Sequence, residues 1–478
     1  MSELAPSDCV LIEVVIIILY WDTKFQQTDS LTMIELSVTL MTIEVYHCFN
    51  FGVMSMSSPK LGDAFTLKNG TVIKNRFAKS ALSETLGSVD LRVTEALPRL
   101  YQRWAEGGVG LSFTGNVMID RNNIGEPNNV VVEDERDMPM LKRWAAAAKS
   151  QGGQIWMQLN HPGKQTPKGL SPDPVSPSAI PFRKEMQAFF ATPRALREDE
   201  IQDIIQRFAT SAKIAKDAGF DGVQIHGAHG YLVSQFLSPH HNQRTDQWGG
   251  SAENRMRFVV EVYKAMRAAC GNDFNIGIKM NSADFQRGGF GEDDAVIVAS
   301  RLAELGIDLI EVSGGTYESP AMAQGKDAGK GSSAEQPKAS TIAREAYFLE
   351  FAETLRKAVD VPLMVTGGFR TSEGMSKALE SGACDLVGLG RSLCVEPDLV
   401  NRILTGEDFT SVVRPIKTGV KMIDKMALME VSWYERQLHR MGKGKAPRRQ
   451  DQGFWSLLDV LAVMISRSIL NRVQRLRA

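Results

Sequence analysis

From about residue 60 to residue 410, short apolar runs rich in β-branched residues alternate with longer stretches whose apolar side chains recur at helical spacing. The short runs fall at 76–82, 110–114, 154–159, 222–226, 275–280, 309–313, 363–366 and 386–388. The helical stretches between them fall at 97–105, 141–150, 198–218, 254–269, 293–305, 341–358 and 371–380. A phrase repeats where helix gives way to strand: Ala218-Gly219-Phe220-Asp221-Gly222-Val223, Leu305-Gly306-Ile307-Asp308-Leu309 and Ser381-Gly382-Ala383-Cys384-Asp385-Leu386. The first glycine of each stands where a helix C-cap is expected. Strictly alternating strands and helices predict a parallel sheet covered on both faces. Eight such units over this length fit an α/β fold of the (β/α)8 TIM-barrel type. A doubly wound sheet is the competing architecture. It usually announces its nucleotide site by GxGxxG after an early strand, and that motif is absent.

The two ends break the rhythm, which divides the chain into an N-terminal extension at 1–58, a barrel at 59–412 and a basic helical extension at 413–478. Residues 1–58 hold one basic residue, Lys24, among many acids, and their apolar run 10–20 is short of the ~20 residues a membrane span needs. Acidic Glu3 and Asp8 argue against a signal or transit peptide. This segment is expected to be an extension outside the functional fold, even an upstream piece joined to a chain that begins at Met54 or Met56, with a weak membrane or partner contact as the alternative reading. The other end reads as an apolar helix over 454–470 followed by Arg472, Arg475 and Arg477. Such a helix can touch an anionic membrane surface, but packing on the core or on a second subunit is the preferred reading.

Composition narrows the function classes. The 478 residues carry 55 Lys+Arg against 56 Asp+Glu, so net charge offers no reason to expect nucleic acid as a partner. The five cysteines, Cys9, Cys48, Cys270, Cys384 and Cys394, are scattered and form no metal-ligand spacing. An odd, sparse set suits a reducing compartment, and a cytoplasmic location is expected.

Barrel active sites lie at the C-terminal ends of the strands. Those ends deliver Ser83; Thr114, Gly115 and Asn116; Gln158 and His161; His226, His229 and Tyr231; Lys279; Gly367-Gly368; and Gly390-Arg391. The set lacks the carboxylate pair of a glycosidase and a nucleophile beside a base. Two glycine-rich ends with one arginine look like a phosphate grip, because backbone N–H groups can approach the oxygens there and a guanidinium adds a bidentate charge.

The segment Gln224-Ile225-His226-Gly227-Ala228-His229-Gly230-Tyr231-Leu232, continuing through Gln235-Phe236-Leu237-Ser238-Pro239, Asn242, Arg244-Thr245-Asp246, Gly249-Gly250-Ser251 and Glu253-Asn254-Arg255, resembles the Old Yellow Enzyme family of FMN-dependent ene-reductases. Asn75-Arg76, Gln158-Leu159-Asn160-His161-Pro162-Gly163, Gly388-Leu389-Gly390-Arg391 and Trp433-Tyr434 extend the resemblance over roughly 60–440. It implies FMN across the barrel mouth, with phosphate at Gly367, Gly368, Gly390 and Arg391, and the pyrimidine edge on Gln158. Lys279 is implied near N1 and O2 of the flavin, where a cation stabilises the reduced form, although many members carry Arg there. Ser83, where Thr or Cys is familiar, is implied to donate to O4, and Asn116 to line the flavin edge. His226 and His229 are implied to hold the carbonyl of an electron-poor alkene, and Tyr231 to protonate its α-carbon. NADPH or NADH is the implied reductant, using the same pocket in a ping-pong cycle. The absent cysteine cluster counts against the iron–sulfur relatives that reduce dienoyl thioesters. Arg244, Asp246, Glu253 and Arg255 read as loop-fixing groups. Long stretches at 167–194 and 317–340 read as lids. Two other classes stay open: a metal-dependent barrel hydrolase with His161, His226 and His229 as ligands, and a non-catalytic flavin-binding scaffold, with oligomeric state undetermined.

Overall fold

The computed structural model describes residues 59–314, 339–414, 416 and 428–448, with single positions 455, 458 and 462. The chain divides into two units, Met1–Ser57 and Ser58–Ala478, and every described residue belongs to the second. The expectations for 1–58 lie outside the described residues, as do those for 317–340 and 454–470 but for their edges and single positions.

Eight parallel strands close into a barrel: β1 Phe77–Lys79, β2 Leu111–Phe113, β3 Gln154–Asn160, β4 Gly222–Gly227, β5 Asn275–Asn281, β6 Leu309–Ser313, β7 Leu363–Thr366 and β8 Leu386–Leu389. Each pairs with its sequence neighbours, β8 pairs with β1, and β2 with β3, so no edge is left. Around them run α1 Ala96–Glu106, α2 Met138–Lys149, α3 Glu198–Asp217, α4 Ala252–Cys270, α5 Glu292–Glu304, α6 Ala339–Ala358 and α7 Ser372–Glu380, and α8 Leu428–Gly442 follows the last strand. The architecture is therefore the expected (β/α)8 barrel. The first strand is shorter than the 76–82 run, because the chain leaves the ladder after Lys79 to build the barrel mouth.

Alternation along each strand sorts the side chains. The outward set packs under the helices in the main core, which includes Met157, Leu159, Val223, Ile225, Ile276, Ile278, Ile310 and Val312. The inward set is layered. At the bottom Ala78, Leu111, Phe113, Trp156, Leu309, Met364 and Leu386 pack together with Leu67 and Ile73. Ile73 belongs to a small hairpin, Phe65–Thr66 with Val72–Ile73, and Leu67 to its turn. Trp156 fills the floor, and a Cβ on Gly222 would approach its indole to 2.7 Å. Above this layer the inward side chains become polar: Gln158, Gln224, Lys279 and Glu311, all buried.

The repeated helix–Gly–strand phrase has a structural meaning at both of its marked positions. Gly219, Gly306 and Gly382 take φ of 84°, 89° and 72°, which a β-carbon disfavours. The aspartate that follows reaches sideways to the preceding strand. Asp221 Oδ2 accepts from Ile155 N at 2.9 Å, Asp308 Oδ2 from Ile276 N at 2.8 Å and Asp385 Oδ2 from Leu363 N at 2.8 Å. Each is also paired with a cation from the helix before that strand: Lys149 at 3.2 Å, Arg267 at 2.7 Å, and Arg356. Three of the eight strand pairs, β3–β4, β5–β6 and β7–β8, are thus pinned at the bottom by one device. Asp308 is the most deeply placed, with 8% of its side chain exposed against 15% for Arg267. Replacing Asp308 by Ala should destabilise the barrel by about 3 kcal/mol, because it orphans a backbone N–H and leaves a mostly buried guanidinium with neutral partners only. Asp308→Asn, which keeps an acceptor, should cost less, and urea unfolding of the two variants measures the difference.

Candidate active site

The C-terminal ends of β3 to β6 carry most of the site. β4 ends in His226 and Gly227, and the chain turns through Ala228 and His229 into Tyr231, which precedes the short helix Leu232–Leu237. His229 has φ of 60°, a left-handed conformation costing a non-glycine residue about 1 kcal/mol. Two contacts hold it there. Its N–H donates to Asn281 Oδ1 at 3.1 Å, and its Nε2 lies 2.9 Å from Ser313 Oγ at the end of β6. The rings converge: His226 and His229 are 5.3 Å apart between centroids, His226 and Tyr231 4.6 Å, both edge-to-face.

Burial keeps both imidazoles neutral. Desolvation is the leading cause for each, with the positive charge of Lys279 acting in the same direction. His229 is pushed down to about 3, and His226 well below the usual histidine range, where the neighbouring His229 adds to the effect. His226 Nδ1 accepts from Ala228 N at 3.4 Å, which leaves Nε2 as the protonated nitrogen of the neutral ring. His161, at the end of β3, is likewise pushed down, to about 4, by burial. Its Nδ1 accepts from Gly163 N at 3.1 Å, while its Nε2 is buried without a hydrogen-bond partner among the described residues.

Beneath the histidines lies an unbroken polar chain. Lys279 Nζ sits 2.9 Å from Glu311 Oε1; Gln224 Nε2 donates to Glu311 Oε2 at 2.7 Å; Gln158 Nε2 donates to Gln224 Oε1 at 2.8 Å. The backbone N of Gln158 donates to Thr114 Oγ1 at 2.8 Å, which ties β3 to β2. Lys279 thus stands where the sequence places it, but paired with a carboxylate that the reading of strand ends passed over. The signal was available: in Leu309-Ile310-Glu311-Val312-Ser313, the outward Ile310 and Val312 put Glu311 and Ser313 inside.

The β1 side of the mouth carries a second group that was missed. Lys79, fully buried, donates to Glu84 Oε1 at 3.2 Å, Tyr101 OH at 2.9 Å and Phe113 O at 2.7 Å, and so anchors the loop that carries Ser83. Ser83 differs from expectation. Its hydroxyl donates to Glu126 Oε2, so its single proton is not free for a flavin carbonyl unless that bond is exchanged. Asn116 Nδ2 reaches the same oxygen at 3.5 Å. Glu435 of α8 hydrogen-bonds Ser83 as well. Both glutamates are half-buried by surface, yet desolvation raises both carboxyl groups, and for Glu435 the negative charge of Glu126 raises it further. A residue on a helix over 300 positions away in sequence cannot be linked to Ser83 by spacing alone.

At the seventh and eighth strand ends, Gly367 and Gly368 take φ of 111° and 88°, and Gly390 precedes the short helix Arg391–Val395. A side chain on Gly390 would meet Leu82 Cδ2 at 3.2 Å. These positions expose backbone, which suits a phosphate. Asn160, inward on β3 beyond Gln158, keeps both amide atoms buried and without a hydrogen-bond partner among the described residues. Orphaned polar atoms, an amide and a cation on one side, and bare backbone beside Arg391 on the other fit flavin mononucleotide.

Other expectations resolve plainly. Arg244 pairs with Asp246 at 2.6 Å and donates to the Pro177 and Leu196 carbonyls, and Arg255 pairs with Asp294 at 2.8 Å and donates to the Leu237 and Gly250 carbonyls, so both arginines fix loops. Glu253 lies in the first turn of α4. The stretch 167–194 is pinned by a Pro167–Phe190 bridge and by Val175–Ser176 pairing with Arg194–Ala195. Among the described residues no three His, Cys, Asp or Glu side chains converge to hold a metal ion, so His161, His226 and His229 do not form the ligand set a metal hydrolase needs. No helix among the described residues is long and apolar enough to cross a membrane.

Residues 60–408 match the NADH:flavin oxidoreductase / NADH oxidase family. An NADH-dependent flavin oxidoreductase, iccE, of Talaromyces variabilis is 33% identical over 417 residues, which cover 81% of this chain and 99% of that protein. Another, iliE of Neonectria sp. (strain DH2), is 36% identical over 387 residues, covering 77% of this chain but 50% of that longer protein. Among solved structures, the old yellow enzyme homologue from Zymomonas mobilis superposes with a TM-score of 0.61 at 26% identity, covering 74% of this chain and 95% of that one. The chain belongs to the NADH:flavin oxidoreductase / NADH oxidase family and is of the Old Yellow Enzyme type. FMN and NAD(P)H are the cofactors of that class.

The raised Glu435 carboxyl makes a signed prediction. Its folded value lies above the ordinary carboxylic value of 4.5, so the stability linked to it is present below that pH and is lost as pH rises through the folded value. Glu435→Gln should leave thermal stability unchanged near pH 4.5 and raise the Tm progressively above it, as measured by differential scanning calorimetry across pH 4.5–9.

Proposed function

We propose that the protein is an FMN-dependent ene-reductase. In this reading it takes hydride from NADH or NADPH and delivers it to the activated C=C bond of an α,β-unsaturated carbonyl or similar electron-poor alkene. The observation that carries the reading is the cluster of two neutral imidazoles and a phenol at the end of β4, packed ring against ring above a buried amide and cation. FMN, when bound, supplies the hydride carrier.

The chain's own residues divide the remaining work. Gln158 and Lys279 orient the pyrimidine side of the flavin, and Gly367, Gly368, Gly390 and Arg391 hold its phosphate. Asn116 lines the flavin edge. Ser83 approaches the O4 side and exchanges its bond to Glu126 as it does so. His226 donates from Nε2 to the substrate carbonyl. His229 donates from Nδ1 when Ser313 gives its hydroxyl proton to Nε2, 2.9 Å away. Neutral donors suit this task. They stabilise charge that builds on the oxygen and do not lose a proton to it in the ground state. Tyr231, buried beside His226, protonates the α-carbon. Nicotinamide and alkene occupy the same pocket in turn, which makes the cycle ping-pong. The fungal relatives named for NADH favour it as the reductant.

The purified protein should show oxidised-flavin bands that bleach anaerobically with NADH or NADPH and return on adding 2-cyclohexenone. Tyr231→Phe should slow the return by about a hundredfold or more while leaving the bleaching step near wild type. A colourless protein that FMN cannot reconstitute would sink the reading.

A further inference from the structure

We infer that Glu311 is a positioning residue that fixes the hydrogen-bond polarity of Gln158, so that Gln158 presents a carbonyl oxygen, and not an NH2 group, to the N3–H of the flavin pyrimidine. The inference rests on the proposed reading that Gln158 holds the pyrimidine edge.

The argument follows from which groups can donate. A glutamine side chain has two faces, and either can turn toward a neighbour unless something decides between them. Here the decision starts at Glu311, buried with no exposed surface and 2.9 Å from an ammonium that can only donate. An ionised carboxylate can only accept. Gln224, 2.7 Å from Glu311 Oε2, must therefore turn its NH2 toward that oxygen, since the reverse would set two acceptors against each other in a buried site. Its own carbonyl then faces Gln158 at 2.8 Å and demands a donor there. The NH2 of Gln158 is thereby committed downward. Its Oε1 takes no hydrogen bond among the described residues and remains as an acceptor. In flavin the N3–H lies between two ring carbonyls, so an acceptor aimed at that edge matches it, and an NH2 group would face another N–H.

The chain of polarity spans four strands. Gln158 lies on β3, Gln224 on β4, Lys279 on β5 and Glu311 on β6. The acceptor presented by one strand is thus set by a carboxylate that does not itself reach the flavin. Glu311→Gln reverses the rule, because the Lys279 ammonium then holds the amide's carbonyl oxygen and the amide's NH2 turns toward Gln224.

The test uses the full-length protein reconstituted with FMN carrying 15N at N3, and reads the N3–H proton by NMR. In the wild type this proton should be shifted downfield and protected from exchange with water. In Glu311→Gln its exchange should speed up by about tenfold or more, as expected for losing one directed hydrogen bond. Glu311→Asp, which keeps the carboxylate, should restore protection. Because Glu311→Gln leaves the Lys279 ammonium unpaired, the double variant Glu311→Gln/Lys279→Met supplies a fold without that buried charge, and it should show the same loss. Labelled FMN bound in both variants with the N3–H as protected as in wild type overturns the role of Glu311. Wild-type protein that fails to take up the labelled FMN, or holds it with N3–H exposed as in free solution, overturns the flavin reading of Gln158 itself.

Discussion

The Lys279–Glu311 pair is the constraint around which the upper barrel is arranged. Taking an ammonium and a carboxylate out of water costs several kcal/mol each, and their attraction offsets this only when geometry is good and the remaining polar atoms are satisfied. The barrel brings the two charges to 2.9 Å by register, and Gln224 satisfies the other carboxylate oxygen. Lys279 stands opposite Glu311 on one side and His226 on the other, so the cation is placed by strand pairing and not by a flexible loop. Gln224 and Gln158 then occupy the layer because they are what an ionised carboxylate next door permits. Above them His226 and His229 are held neutral by burial and by the uncancelled part of the Lys279 charge. In the proposed enzyme, orienting the flavin and polarising a carbonyl thus share one electrostatic framework.

That framework stands on a rigid base. The bottom layer is apolar and filled by Trp156, with Gly222 beside it giving the indole room. The aspartates at 221, 308 and 385 tie neighbouring strands by their backbones just below. Polar groups a few ångströms higher can hold fixed hydrogen bonds because the strands carrying them cannot slide. One register step would exchange every inward side chain for an outward one, and would set Ile310 or Val312 where Glu311 must be.

Much of this was legible in one sequence, for reasons that differ by position. Strand–helix alternation made the barrel plain, since fully buried parallel strands read as continuous apolar runs and their covering helices do not. His226, His229 and Tyr231 were visible because they cluster within six positions of one strand end. Glu311 was visible in principle from alternation in its strand, but a carboxylate amid Ile, Val and Leu invites being passed over. Asp221, Asp308 and Asp385 sat in a repeated phrase whose glycine drew the attention. What spacing could not reveal are contacts made by closure of the ring or by the final helix. Ser83 reads as a free hydroxyl until Glu126 and Glu435 are set beside it.

That last group shows why the β1 side of the mouth differs from the β4 side. At β4 the polar atoms are neutral and their partners come from adjoining strands. At β1 two carboxyl groups face one serine, and both are raised by desolvation. Two carboxylates in one cleft resist full ionisation, so the pair favours retaining a proton, and Ser83 donates to the Glu126 side of it. Lys79 does not neutralise them. It is committed to Glu84, Tyr101 and the Phe113 carbonyl, and serves to hold the loop. The barrel mouth therefore has a wall of neutral donors above a buried cation at one side and a pair of raised carboxyl groups at the other. In the proposed enzyme the flavin lies between them, with its pyrimidine edge toward the first wall and its O4 side toward Ser83. A change in protonation of the acid pair would then be felt through Ser83 and Asn116, which both reach Glu126, while the histidine side stays fixed.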